Sequence, residues 1–271
     1  MPHLARFARL LALIMPLVAA PALAASEHDC MILPRQQIEI RSPVEAMIES
    51  VRVRRGDLVT KGQVVATLES GPERAALALA QSRATMQGEI KVAEARLDLA
   101  EKKLQRATEL FKQKFISANA RDEAEAEFRL ATEELRRTRE NQRLAELEAK
   151  RASEVLALRT VRSPFTGVVM EVLLKPGEFG ATTIKDPIMK LAEIDVLNVE
   201  VVLPVSQYGK VKPGQGATVM PEAPIGGRYQ TKVRVVDQVT DAASGTFGVQ
   251  IDLPNPKRTI PGGVKCRVSF P

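Results

Sequence analysis

The chain has 271 residues, of which 45% are hydrophobic and 27% charged, and its formal net charge at pH 7 is +6. This length allows one to three small domains, and the mild basic excess is spread along the chain, whereas a nucleic-acid-binding protein concentrates it on one face. The two histidines of the sequence, His3 and His28, are too few for histidine-based catalysis or metal ligation, so we expect no enzyme, no cofactor, no metal site and no nucleic-acid partner.

The first 24 residues have the features of a signal peptide. Arg6 and Arg9 form a basic start, Leu10–Val18 is an apolar run, and Ala22-Leu23-Ala24 is a cleavage site of small residues. Because the apolar run is short for a bilayer span, we expect a soluble, exported chain. An uncleaved membrane anchor is the alternative.

Two cysteines lie near the ends of the remaining chain, Cys30 and Cys266. In an oxidising compartment such a pair either forms a disulfide or stays as two free thiols, and both alternatives are open at this stage. A disulfide would require the two ends of the chain to meet beside one domain.

The stretch Ile40–Ser70 has the pattern of short, half-buried strands. Its apolar residues are set among polar ones, with turn signals at Gly56-Asp57 and Lys61-Gly62. The stretch resembles half of the small β-domain that carries biotin or lipoate on a lysine. However, the "EAM" at Glu45–Met47 is followed by Ile48 where that lysine would stand. We therefore expect no modified lysine, which argues against a biotin or lipoyl carrier.

A second copy of this half-motif lies far downstream, at Val161–Gly180. Its Ser163-Pro164 and Gly177 match Ser42-Pro43 and Gly56 at one constant offset. Internal self-similarity of this kind predicts a repeated structural unit. We predict that residues 36–71 and 160–195 form a single lipoyl-like β-sandwich, split by the segment between them.

The intervening residues 72–159 have a helical composition. Between Pro72 and Pro164 the sequence has no proline and a single glycine, Gly88, and it is rich in Ala, Glu, Arg, Leu and Lys. This composition predicts long helices.

The segment "KFISANARD" divides the helical region in two. Ser117 and Asn119 are candidate N-caps, and Asp122 gives a capping-box-like start after Asn119. We predict helices over 73–114 and 120–158, each roughly 60 Å long at 1.5 Å per residue. Because the turn is short, the two helices are expected to form an antiparallel hairpin that returns to its starting point.

Seven-residue spacing of apolar residues predicts that this hairpin is a left-handed coiled coil. The predicted seam of the first helix combines two rows: Ala76, Arg83, Ile90, Leu97, Leu104 and Phe111 with Leu79, Met86, Ala93, Ala100 and Ala107. That of the second helix combines Phe128, Leu135, Gln142, Ala149 and Leu156 with Ala131, Thr138, Ala145 and Ala152. A further row, Leu130, Leu144 and Leu158, indicates either contact with a neighbouring chain or ordinary seam drift.

From residue 196 onward the sequence changes to short alternating strands. Turn-forming residues separate them at Ile225–Gly227, Ser244-Gly245 and Pro261–Gly263. We predict that residues 196–271 form a closed β-barrel of about six strands.

These parts predict an elongated, multidomain α+β chain: a lipoyl-like β-sandwich split by an antiparallel coiled-coil α-hairpin, followed by a small β-barrel. In this order they resemble the periplasmic adaptor proteins, or membrane fusion proteins, of HlyD-like type. "LPVSQYGKVKPGQGATV" and "LPNPKRTIPGGVKCRV" are most similar to adaptors of RND efflux pumps. The resemblance implies a periplasmic protein, held at the inner membrane through its pump, that bridges an inner-membrane transporter to an outer-membrane channel. It also implies self-assembly into a ring, commonly a hexamer.

The resemblance further implies a contact site at the hairpin tip. RND-type adaptors carry there an Arg, a Leu four residues later and a Ser seven after that, which engage the channel, and Arg106, Leu110 and Ser117 hold this spacing. Leu110 would fill a groove between channel helices, Arg106 would donate to carboxylates or carbonyls, and Ser117 would cap and hydrogen-bond at the turn. The alternative is that Arg106 is merely solvated and Leu110 packs within the hairpin.

Many RND adaptors continue into a further β-domain that docks on the pump, whereas this chain ends at Pro271. It therefore resembles a shortened adaptor, in which barrel loops at Ile225–Tyr229 or Thr240–Gly248 would carry the pump contact. An adaptor of an ABC-type exporter or of a type I secretion system is the closest alternative, and a coiled-coil scaffold without a transport role is another. The sequence does not identify the exported compound.

Overall fold

The computed structural model describes residues 27–180 and 187–271, so the signal peptide predicted for residues 1–24 lies outside the described part. The described chain forms two compact units. The first contains the residues up to Leu33, Leu197–Asn255 and Thr259–Pro271; the second contains Pro34–Val196 and Pro256–Arg258. Within these described ranges, no helix is both long and apolar enough to cross a membrane.

Twelve strands and three α-helices make up the described part of the chain. The strands are β1 (Glu27–Ile40), β2 (Ala46–Val51), β3 (Leu58–Val59), β4 (Val64–Leu68), β5 (Thr160–Arg162), β6 (Gly167–Val172), β7 (Phe179–Gly180), β8 (Met189–Pro204), β9 (Gly216–Pro221), β10 (Tyr229–Val236), β11 (Thr246–Pro254) and β12 (Val264–Ser269). The helices are α1 (Gly71–Thr85), α2 (Gly88–Lys112) and α3 (Ala118–Ala157), and a 3₁₀ turn covers Val205–Gln207.

The two half-motifs form one β-domain because each half supplies strands that pair with the other. β4 of the first half pairs with β5 of the second, with Val64 opposite Arg162, and β2 pairs with β7, with Ala46 opposite Gly180. β3 likewise pairs with β6. The predicted lipoyl-like domain split by a helical insertion is therefore confirmed.

The internal repeat is also visible in matching local contacts. The hydroxyls of Ser42 and Ser163 each donate to the backbone carbonyl two residues further along. Gly56 and Gly177 both have positive φ, 91° and 88°, a conformation that glycine adopts without steric cost. The two halves thus repeat the same corner and the same turn.

Both halves also contribute to one hydrophobic core. Val59 and Leu68 of the first half and Val169 and Leu191 of the second are at most 1% exposed and belong to one cluster of buried residues. Neither half can bury its apolar side chains alone, so the domain depends on both segments being present together.

The structure corrects the prediction of one continuous helix over 73–114. The helix is interrupted at Met86 and Gln87, where Met86 has an extended backbone with ψ of 114°. Gly88 follows as the first residue of α2, and glycine is the residue, after proline, least favourable to a helix interior. The side-chain amide of Gln142 in α3 donates to the carbonyl of Ala84, one of the last carbonyls of α1, which have no partner within their own helix.

The predicted seam is confirmed for α3 and for α2 apart from the exposed Phe111, and it is wrong for α1. Ala93, Ala100, Leu135 and Thr138 are all at most 7% exposed. In α1 the inward-facing positions are Glu73, Leu77, Ala80 and Ala84, while the predicted Ala76, Leu79, Arg83 and Met86 are exposed. The interruption causes this shift of the seam. Across it, the inward-facing residues Ala84 and Ile90 are six residues apart, whereas an uninterrupted heptad pattern would place equivalent residues seven apart.

The remaining strands close into a six-stranded barrel in the order β1-β12-β9-β10-β11-β8, with β8 pairing back to β1. The predicted closed barrel is thus present. The part of β1 that pairs with β12, residues 27–32, precedes the first half-motif, however, and was not part of the predicted range 196–271. Inward-facing residues such as Val201, Val219, Ile251 and Val268 fill the barrel and are at most 1% exposed.

The two cysteines lie directly opposite each other on neighbouring strands. β1 pairs antiparallel with β12, and in this register Cys30 faces Cys266. The structure joins them by a disulfide, with their Cα atoms 4.9 Å apart. The disulfide therefore links the first and last strands of the barrel.

We predict that this disulfide stabilises the barrel by about 2–5 kcal/mol, the usual cost of removing a native disulfide. It joins residues that are 236 positions apart, so reduction frees a very long loop in the unfolded chain. Both tyrosines of the sequence, Tyr208 and Tyr229, belong to the barrel unit, so tyrosine fluorescence reports its unfolding in denaturant, with and without a thiol reductant.

The control is the double variant Cys30→Ser, Cys266→Ser, whose unfolding midpoint should be insensitive to the reductant. Identical midpoints for the oxidised and reduced wild-type chain would contradict the prediction.

Candidate functional site at the hairpin tip

The tip of the hairpin consists of the end of α2, the turn at residues 113–116 and the start of α3. Lys114 N–H donates to the carbonyl of Phe111, and Phe115 N–H donates to the carbonyl of Leu110, both at 2.9 Å. This pair of bonds is the Schellman motif, whose turning residue is usually glycine because its φ is positive. Here Lys114 holds that position with φ of 64°, so a charged side chain stands at the apex of the turn.

Ser117 caps the start of α3. Its backbone is extended, and its side-chain oxygen accepts a hydrogen bond from Ala120 N–H at 3.3 Å. Of the two candidate N-caps, Ser117 is therefore confirmed and Asn119 is wrong, and the helix begins two residues before the predicted start at residue 120. The hydroxyl of Ser117 is exposed, and because it accepts in the cap its proton can be donated to a partner.

Arg106 and Leu110 lie one helical turn apart and line the same shallow groove between α2 and α3. Beside Leu110, the apolar part of this groove consists of Ala107, Ile116, Ala120 and Ala124. Leu110 is 41% exposed, so its side chain is only partly packed within the hairpin. In the described ranges of the chain no carboxylate forms an ion pair with Arg106. Ser117 is not a lining residue, but it directly follows Ile116, which is.

The structure adds aromatic residues that the sequence analysis did not assign to the tip. Phe115 is 74% exposed, and Phe111, which was predicted as a seam residue, is 38% exposed. The guanidinium of Arg121 lies over the Phe111 ring, 5.5 Å from its centroid, a distance typical of a cation–π contact. A phenylalanine inside a polar turn is a signal that could have identified Phe115.

The tip is basic as well as apolar. From Leu110 to Arg121 the chain contains Lys112, Lys114 and Arg121 and no acidic residue. Across the described residues, no group of three or more His, Cys, Asp or Glu side chains could hold a metal ion. Arg121 forms an ion pair with Asp122. The tip therefore offers exposed apolar side chains, the exposed lysines Lys112 and Lys114, and hydroxyl or backbone donors, which suit docking onto another protein surface.

Comparison with known proteins places the split domain in a family. Residues 36–186 match the family described as CzcB-like, barrel-sandwich hybrid domain. The matched segment covers more than half of the chain and includes both half-motifs and the entire hairpin.

Two curated relatives match over a larger part of the chain. The nickel and cobalt resistance protein CnrB of Cupriavidus metallidurans is 27% identical over 254 residues, which cover 93% of this chain and 58% of CnrB. An uncharacterized protein of Haemophilus influenzae is 21% identical over 220 residues, which cover 81% of this chain and 50% of that protein. The chain thus spans about half the length of the curated relatives it matches.

Among solved structures, MacA from Actinobacillus actinomycetemcomitans is similar over 91% of this chain and 78% of its own, with a TM-score of 0.76. The two sequences are 22% identical over this match. A likeness at this level of identity shows a common fold.

We predict that Lys114→Gly stabilises the hairpin by about 1 kcal/mol, because glycine adopts positive φ without the steric cost of a side chain. The matched control is Lys112→Gly, at the last residue of α2, which is expected to destabilise the hairpin by up to about 1 kcal/mol. Denaturant unfolding followed by the helical circular dichroism signal measures both changes. A loss of stability in both variants would contradict the assigned turn.

Proposed function

We propose that this chain is the adaptor subunit of a tripartite efflux system. It belongs to the family with a CzcB-like barrel-sandwich hybrid domain. This membership confirms its predicted resemblance to the periplasmic adaptor, or membrane fusion, proteins. In this role it bridges an inner-membrane transporter to an outer-membrane channel in the periplasm. The observation that carries the proposal is the order of parts: a β-domain split by a helical hairpin and joined to a barrel.

We propose that the hairpin tip is the channel contact. Leu110 is partly exposed beside the unpaired Arg106, so a partner helix could bury the leucine and accept hydrogen bonds from the guanidinium. Burying the remaining leucine surface would contribute on the order of 1 kcal/mol for each copy. Such a modest contact becomes strong when several copies of the adaptor engage one channel together, which fits a ring, commonly a hexamer.

We propose that the barrel unit carries the contact with the transporter. Two segments are assigned to this contact: Ile225–Tyr229, which leads into the first residue of β10, and Thr240–Gly248, which runs from the loop after β10 into the start of β11. In the same region Val239 is 84% exposed, which supports a surface that a partner covers. Crosslinking from these loops, followed by mass spectrometry of the captured protein, identifies the transporter.

The similarity of the barrel segments to RND adaptors favours an RND-type transporter. An ABC-type exporter or a type I secretion system remains the alternative, and capture of an ATP-binding transporter in the crosslinking experiment would establish it. The relative CnrB is named for nickel and cobalt resistance, so divalent cations belong in any substrate panel. The described residues contain no metal-binding cluster, and we propose that the adaptor contributes to the conduit without binding the cargo as an ion.

We predict that Leu110→Asp abolishes export while the hairpin stays folded, because a charge replaces the apolar side chain that the channel must bury. The matched control is Leu147→Asp in α3. Leu147 is 55% exposed and far along the helix from the tip. Each variant is expressed in a deletion strain, which is then scored for efflux of a panel of toxic organic compounds and divalent cations.

Helical circular dichroism should be unchanged in both variants, and export should be lost only with Leu110→Asp. Normal export by Leu110→Asp would refute the tip assignment.

A further inference from the structure

One strand of the barrel is held differently from the others. Residues 27–32 of β1, here called the strap, lie between β12 and β8 and complete the barrel. They pair antiparallel with β12 along all six residues. Beyond Leu33, β1 continues into the second compact unit. The continuing chain therefore holds one end of the strap, and the Cys30–Cys266 disulfide holds its middle.

The other five strands form a continuous sheet without the strap. They are paired in the order β12-β9-β10-β11-β8. Each of them supplies buried side chains to the interior of the barrel; one from each strand, all at most 3% exposed, are Val201, Val219, Val233, Ile251 and Val268. Removing the strap would therefore open the barrel between β8 and β12 and leave most of its core in place.

The strap itself contributes little to that core. Its buried side chains are Ile32, which is fully buried, and Cys30, whose sulfur is part of the disulfide. Glu27 also pairs with Arg267 at 3.3 Å, but both side chains are exposed, and an exposed ion pair contributes little to stability. Once the disulfide is reduced, the strap is therefore held mainly by strand pairing and by two buried side chains.

The strap also forms one wall of an outer groove on the barrel unit. The groove has a volume of about 780 Å³, and residues 27–31 of the strap line it together with residues such as Val202 and Lys265. Met31 of the strap and Val202 of β8 are 44% and 63% exposed. Displacing the strap would remove this wall, so the outer surface of the barrel unit depends on the strap as well.

We propose that the Cys30–Cys266 disulfide is a redox-controlled link that holds the strap in the barrel. Its reduction detaches the strap while the other five strands stay folded. Closing the link requires an oxidant, which is an external disulfide. The two cysteine thiols exchange with one molecule of oxidised glutathione, for example, and give the Cys30–Cys266 bond and two molecules of reduced glutathione, which take up the two thiol protons.

Such a link makes closure of the barrel depend on the compartment. Disulfides persist in oxidising compartments, whereas the thiol pools of the cytoplasm keep cysteines reduced. The strap follows shortly after the predicted signal peptide of residues 1–24, so it would stay detached until the chain has been exported. This consequence rests on the proposed periplasmic role, whereas release of the strap is a property of the chain itself.

Hydrogen exchange followed by mass spectrometry tests the release strand by strand. The full chain is compared in its oxidised form and after treatment with a phosphine reductant. In the reduced chain, amides of the strap should exchange within about tenfold of the rate of an unstructured chain, while those of β11 should stay slower by about a hundredfold or more. In the oxidised chain both strands should be protected, and reoxidation with oxidised glutathione should restore the protection of the strap.

Two variants serve as controls. The double variant Cys30→Ser, Cys266→Ser should show the reduced pattern with and without the reductant. Val249→Ala removes part of a side chain of β11 that is 1% exposed. Because it weakens the whole barrel, it should speed the exchange of β11 and of the strap together in the oxidised chain. If either variant fails to fold, the comparison of the oxidised and reduced wild-type chain still decides the question.

Equal protection of the strap and β11 in the reduced chain would overturn the proposal, and so would loss of protection in both strands, which indicates that the barrel unfolds as a whole. Neither result would affect the export assay of Leu110→Asp, because that assay reports on the hairpin tip and not on the barrel.

Discussion

The fold depends on the return of the helical hairpin to its starting point. Leu68 N–H, at the end of β4, donates to the carbonyl of Arg159 at 2.8 Å, just beyond α3. The Arg159 side chain pairs with Glu73 in the first turn of α1, and both side chains are less than 20% exposed. This largely buried ion pair joins the segment in which the chain leaves the β-domain to the segment in which it returns. Because a buried charge is costly without its partner, the contact favours the one alignment in which the two half-motifs meet.

The β-domain and the hairpin are stabilised in different ways. The split domain has a closed core to which both half-motifs contribute almost fully buried side chains. The hairpin buries far less: in α2 and α3 the buried seam residues are Ala93, Ala100, Leu135 and Thr138, and most of its ion pairs are exposed, where each contributes little. Alanine at the seam lets the two helices approach closely. The described hairpin therefore leaves much of its surface available to partners.

Periodicity and repetition made much of this structure predictable. The constant offset between the two half-motifs identified the strands that pair, and seven-residue spacing identified the seam of α2 and α3. The interruption before Gly88 could not be recognised, because one glycine costs about 1 kcal/mol and long helices often tolerate it. Strand β1 was missed because its barrel neighbours are distant in sequence. At the tip, Lys114 replaces the glycine that normally signals a helix end, so the break between α2 and α3 was recognised only from the N-cap residues that follow it.

The outward face of α2 that leads to the tip carries exposed apolar side chains. Val92 and Leu99 of α2 are followed, at the next seven-residue step, by Arg106. The row thus changes from apolar to charged where the groove lined by Arg106 and Leu110 begins. The unpaired arginine beside a partly exposed leucine suits a partner that can bury the leucine and accept hydrogen bonds from the guanidinium. In the proposed ring, several copies of this groove would face one channel and gain from their combined binding.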